Sequence, residues 1–264
     1  MRSAGVDLAA EPSATGIAEI QWSTNGATVT SLSLGVDDGA IRRVAAVVDK
    51  LGIDCPLGWP EEFLQFVTAH QSGHVVCPSA VAGIDWRRRL AYRETDRAVR
   101  RHTGLNPLSV AADRIGLTAM RAAGLLAALA SDGRAVDRAG TGVVVEVYPA
   151  ATLKCWGLPS RGYKGASNRE VLSCLVDALL AAAPWLDLGP FTPLCRASDD
   201  AFDSVVAALA SRAAWLSRVT VPLDGAEKEL APREGWIAIP TCELSALVGA
   251  SPSSGAEAGS ESSR

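Results

Sequence analysis

The sequence of 264 residues has no stretch near the ~18 consecutive apolar residues that a membrane-spanning helix needs, so a helical span is excluded. The opening MRSAGVDLAAEPSATG lacks the apolar centre of a secretion signal. None of the six cysteines stands in C-x-x-C spacing. Without an export signal, Cys55, Cys77, Cys155, Cys174, Cys195 and Cys242 read as reduced thiols of a cytoplasmic protein, serving as small buried hydrophobes. A surplus of positive charge is missing too. With 25 Lys and Arg against 29 Asp and Glu, the net charge is −4, so any nucleic-acid contact must use a local patch. There is no G-x-x-x-x-G-K-[ST] loop and no G-x-S-x-G elbow. Gly140-x-Gly142 lacks a third glycine and precedes its strand, so the dinucleotide fingerprint fails. His70-x-x-x-His74-x-x-Cys77 has loosely zinc-like spacing but no evident fourth ligand. No internal repeat is present.

What remains is an ordinary globular composition, 48% hydrophobic and 20% charged. Residues 3–8 read as a strand ending at an acid, and 14–22 and 27–34 alternate as two more strands. Asn25-Gly26 between those two is a strong hairpin signal. Residues 37–50 read as a helix, with Asp37 and Asp38 in its first turn and Lys50 in its last. A buried strand at 51–55 is halted by Pro56. Residues 71–112 are irregular, with a helix possible over 86–101. A helix is expected at 114–130, a strand buried on both faces at 143–148, helices at 168–182 and 199–217, and a short strand at 236–239. The expected organisation is a single domain over 1–250, with an insertion at about 71–112 and a polar, disordered tail at 251–264.

Carboxylates fall where the chemistry of a sheet usually sits. Asp7 ends the first strand and Asp54 the fourth. Glu146 lies inside the V-V-V-E-V-Y strand, where an unpaired carboxylate costs several kcal/mol. Asp200 and Asp203 are roughly 60° apart around one helix and share a face. Acids gathered in a dry cleft cannot all stay ionised without cations. Hard divalent ions with oxygen ligands, Mg²⁺ or Mn²⁺, solve that problem. Two such ions about 4 Å apart activate a water and stabilise the leaving oxygen of a phosphodiester.

The stretches GVDLAAEPSATGIA, IDCPLGWP, YRETDRAVRRHTGLNPLSV, VEVYPAATLKCWGL, DDAFDSVVAALAS and GWIAIP resemble the predicted RNase H-like nuclease family, domain of unknown function 429. The resemblance spans roughly residues 4–240. It implies an α/β fold of ribonuclease H-like type, a mixed sheet with a β-β-β-α-β-α core and a partly helical insertion. It implies a divalent-metal-dependent nuclease with Asp7, Asp54, Glu146, Asp200 and Asp203 as catalytic acids. Asp7 and Asp203 would be metal ligands, Asp54 and Glu146 competing for the bridging position. No histidine accompanies the terminal acids, so water activated at the metal is the expected nucleophile.

Nucleic acid, DNA or RNA, is the expected partner. Arginines 87, 88, 89, 93, 97, 100 and 101 face only Glu94 and Asp96 in their window. On one continuous helix, Arg89, Arg93, Arg97 and Arg100 would form a phosphate-binding stripe, from which Arg93 and Arg97 are the expected substrate contacts. Lys164 in R-G-Y-K-G is a second phosphate-binding candidate, and Trp59 beside Asp54 is placed to line a substrate cleft. Two other functions fit the sequence less fully: a non-catalytic member binding nucleic acid or protein, and an actin-like or sugar-kinase-type phosphotransferase. The latter lacks a second glycine-rich phosphate loop.

Overall fold

The computed structural model describes residues 1–74 and 83–249. Cys77, part of the 71–112 segment and the tail at 251–264 lie outside the described residues. The described elements run in order β1 (Arg2–Asp7), β2 (Gly16–Trp22), β3 (Ala27–Leu34), α1 (Asp38–Ala45), β4 (Lys50–Asp54), α2 (Glu61–Gln71), α3 (Ile84–Ala91) and α4 (Glu94–Thr103). They continue with α5 (Gly116–Ser131), β5 (Val144–Glu146), α6 (Pro149–Cys155), α7 (Arg169–Ala182), β6 (Leu186–Asp187), α8 (Thr192–Ala197), α9 (Asp199–Trp215) and α10 (Gly225–Glu234). The fold is α/β. Its six-stranded mixed sheet has the order β5-β4-β1-β2-β3-β6. Strands β1, β2 and β3 form an antiparallel meander, and β4 and β5 add in parallel beside β1.

Strand alternation sorts the side chains into two layers. Ala4, Val6, Leu51, Ile53 and Val144 point to one face and pack with the helices α1 and α5. Ala18, Ile20, Trp22 and Val29 point to the other and pack with α7 and α9. In β1 and β4 this second face carries glycine. A Cβ on Gly5 would lie 2.1 Å from the Ala208 nitrogen, and one on Gly52 would lie 2.3 Å from Ser211 Oγ. The absent side chains let α9 rest on the sheet backbone. Ser3 and Ser211 reinforce this by donating across the interface to the carbonyls of Ala208 and Ala4, each at 2.9 Å.

Gly5→Ala therefore forces helix and sheet apart, because the obstacle is backbone. Overpacking of this kind costs about 1–3 kcal/mol, and a melting-temperature drop of about 3–10 °C is expected by scanning calorimetry. Gly124→Ala, on the open side of α5 with nothing near its added methyl, is the control and should leave Tm unchanged or higher. Equal Tm values for the two variants would remove the close-approach argument.

Several elements differ from the sequence expectation. The 37–50 helix stops at Ala45, and Lys50 opens β4, where its buried ammonium donates to the carbonyls of Gly140 and Gly142, both at 2.6 Å. The 86–101 helix is two helices. Tyr92 is extended (φ −118°, ψ 133°), and the Asp96 carboxylate accepts from the Arg93 backbone N–H at 2.9 Å, starting α4 afresh. The arginine stripe is thereby broken. In place of a strand at 236–239 there is an isolated bridge of Ile237 with Glu146, and a second of Pro240 with Val219 just beyond it. Helices α2, α6, α8 and α10 and the short β6 were not expected. Cys55, Cys155, Cys174, Cys195 and Cys242 are free thiols. Among the described residues no helix is long and apolar enough to cross a membrane.

Candidate functional site

Asp7 and Asp54 end neighbouring parallel strands and are partners in register. By parity with Gly5 and Gly52, both project toward the face covered by α9. That helix starts at Ser198, whose side chain accepts from the Ala201 N–H, and its first turns carry Asp200 and Asp203 over the strand ends. Asp203 is 0% exposed. Its Oδ1 accepts a 2.8 Å hydrogen bond from the Tyr163 hydroxyl. Its Oδ2 is ion-paired with the Lys164 ammonium at 2.6 Å. The carboxyls of Asp7 and Asp200 are close enough for a proton to be shared between them.

The electrostatics follow from four acids around one ammonium. Burial, then the charges of Asp54 and Asp203, push the Asp7 carboxyl well above the usual range. Burial pushes Asp54 up to about 7, with Lys164 opposing and Asp203 and Glu146 adding to it. Asp203 and Asp200 are raised, chiefly by burial. Burial works against the Lys164 charge, but Asp203, Asp54 and Asp7 outweigh it and raise its pKa. The cluster thus carries more negative charge than Lys164 alone neutralises.

A pH dependence follows. A carboxyl whose folded pKa exceeds its unfolded value stabilises the fold only while protonated. The contribution of Asp54 is full below about pH 4 and disappears as pH rises through about 7. In EDTA, Tm should fall between about pH 4 and 7, and Asp54→Asn should flatten that fall. Wild-type and variant Tm–pH curves that superimpose would place the repulsion elsewhere.

Glu146 stands apart from these four aspartates, although it borders the same cleft and its charge acts on Asp54. It is in register with Ile53, so it faces the opposite side of the sheet from Asp54. There Arg93 grips it bidentately, at 2.8 and 2.7 Å, and the Leu57 N–H adds a 3.0 Å bond. Arg93 is 1% exposed and also donates to Asp96 and to the Glu234 carbonyl. All five of its N–H groups are committed, so the expected phosphate contact by Arg93 is replaced by a structural ion cluster. Arg97 pairs with Glu94 at 2.8 Å and donates to the Arg89 carbonyl. Trp59 packs against the α1–α5 core and does not line the cleft.

The cleft itself has a volume of about 520 Å³. Asp7, Asp54, Glu146, Arg93, Tyr148, Arg161 and Lys164 line it together with the apolar Leu105, Pro107, Leu108 and Ile115. Sequence reasoning missed Tyr163, Tyr148 and Arg161. The R-G-Y-K-G motif held the signal for two of them, since a buried tyrosine beside the chosen lysine anchors the same loop.

The donor chemistry suits a hard divalent ion, since the acids of the cluster offer carboxylate oxygens only. As arranged, however, no group of three or more His, Cys, Asp or Glu is placed to hold a metal among the described residues. Lys164 stands against the deepest of the oxygens.

A family model described as Protein of unknown function (DUF429) matches residues 5–228. No curated protein and no solved structure matches the chain.

Proposed function

We propose, for a chain that belongs to the family described as Protein of unknown function (DUF429), divalent-metal-dependent hydrolysis of phosphodiester bonds in DNA or RNA on a ribonuclease H-like scaffold. One observation carries the reading: Asp7, Asp54 and Asp203, distant in sequence, converge from two adjacent strands and a helix closely enough that each charge acts on the others. The antiparallel meander followed by parallel strands supports the scaffold.

Asp7, Asp54 and Asp203 would hold Mg²⁺ or Mn²⁺, with Asp200 behind them. A bound ion of this kind supplies Lewis-acid stabilisation of the phosphoryl oxygens and makes water acidic enough to attack at neutral pH. The chain's own residues do the rest. Tyr163 fixes the rotamer of Asp203 through its hydroxyl. Lys164 and Arg161 present positive charge to the phosphate. Leu105, Pro107 and Leu108 offer an apolar wall to a base or sugar and exclude water from that side.

A second reading, a non-catalytic member that binds nucleic acid or protein, is favoured by the lack of a ready-made metal-holding group among the described residues. Labelled single- and double-stranded DNA and RNA, incubated with the protein in Mg²⁺ or Mn²⁺ and then in EDTA, separate the two. Cleavage that EDTA abolishes supports the nuclease. Binding with no cleavage on any substrate supports the second reading.

A further inference from the structure

We propose that Lys164 is a tethered cation that holds the metal's seat against Asp203 and gives it up when a divalent ion enters. The inference rests on reading the acidic cluster as a metal centre and concerns how that centre is kept closed.

The contact between Lys164 and Asp203 joins an exposed side chain to a buried acid. Nζ meets a fully buried carboxylate oxygen at 2.6 Å, and among the described residues this ion pair is the one tie that holds the ammonium there. The rest of the side chain is not packed in place: it is 54% exposed. Arg93 shows the contrast, being enclosed and saturated by its partners.

The backbone suits a lysine that moves. Gly162 (φ +80°) and Gly165 (φ +89°) bracket Tyr163-Lys164, both in the left-handed region and both with open space where a side chain would be. Tyr163 is buried and hydrogen-bonded to Asp203, so it anchors the loop while Lys164 remains free to swing. The charge balance favours exchange. One ammonium reaches one carboxylate closely, while Asp7, Asp54 and Asp200 remain nearby. A divalent ion carries twice the charge and accepts several oxygens at once. Leaving Asp203, Lys164 returns to the cleft it lines with Arg161, on the side a phosphate would occupy. The positive charge that holds Asp203 thus becomes a substrate contact once a divalent ion replaces it.

Mn²⁺ binding, read from the electron paramagnetic resonance of free Mn²⁺, tests this on wild type, Lys164→Met, Lys164→Arg and Asp203→Asn. Removing the competing charge should tighten Mn²⁺ binding roughly ten- to hundredfold in Lys164→Met. Lys164→Arg should keep the wild-type affinity, and Asp203→Asn should weaken it. Acetylation of Lys164 in wild type, followed by peptide mass spectrometry, should rise severalfold when Mn²⁺ is added. If wild type binds Mn²⁺ and Lys164→Met binds it equally or more weakly, the tethered-cation role is overturned and the metal centre stands. If no form binds Mn²⁺, the metal reading fails, and this proposal with it.

Discussion

Asp7→Asn is expected to lower metal-dependent phosphodiester cleavage by roughly 10²–10⁴-fold, the rate equivalent of the several kcal/mol that a correctly held metal contributes. The substitution is nearly isosteric, so shape is kept and charge is lost. Asp7 ends the central strand of the sheet in register with Asp54, and the charges of Asp54, Asp203 and Asp200 all act on it, so it sits among the acids that a cation would join. The same change removes a repulsion from the metal-free protein. In EDTA its Tm should therefore equal or exceed that of wild type, and the Mg²⁺-induced rise in Tm should vanish. Loss of activity with a raised metal-free Tm separates a lost ligand from a broken fold. Cleavage undiminished in Asp7→Asn would end the proposed mechanism.

Arg93→Met is expected to be the most damaging single change to stability. It leaves Glu146 and Asp96 buried and unpaired and removes the donor to the Glu234 carbonyl. Breaking a buried ion cluster from one side costs about 3–5 kcal/mol, and a Tm drop of about 6–20 °C is expected in a thermal melt. Arg93→Lys should recover only part of this, because an ammonium has three donors for partners that engage five. Removing the carboxylates as well, in Arg93→Met/Glu146→Gln/Asp96→Asn, should restore stability relative to Arg93→Met alone. A wild-type melt for Arg93→Lys would show that the guanidinium geometry is dispensable.

These two residues mark how far the sequence could be read. Asp7 was legible because a strand that ends in an acid, followed by two alternating runs and a hairpin signal, leaves few arrangements. Asp200 and Asp203 were legible because helix geometry puts positions three apart on one side. Glu146 was grouped with the aspartates, and it borders their cleft but is gripped by Arg93. Alternation correctly set it opposite Val145, but alternation says nothing about which neighbouring residue it meets. Pairing with Ile53 rather than Asp54 turns it to the other face. Arg93 was misjudged for a related reason: a run rich in arginine reads as one exposed helix unless Asp96 is recognised as a cap that restarts it.

Local chemistry, which is carried in neighbouring residues, determined the order of the opening elements, the acids at the strand ends and the shared side of the D-x-x-D pair. Long-range packing decided the rest. Strand register, the glycines that admit α9 against β1 and β4, and the reach of Arg93 and Lys164 across the chain depend on residues up to some two hundred positions apart, such as Ser3 and Ala208. Such pairings are selected by the close packing and charge balance of the whole molecule, and no short window of sequence contains both partners.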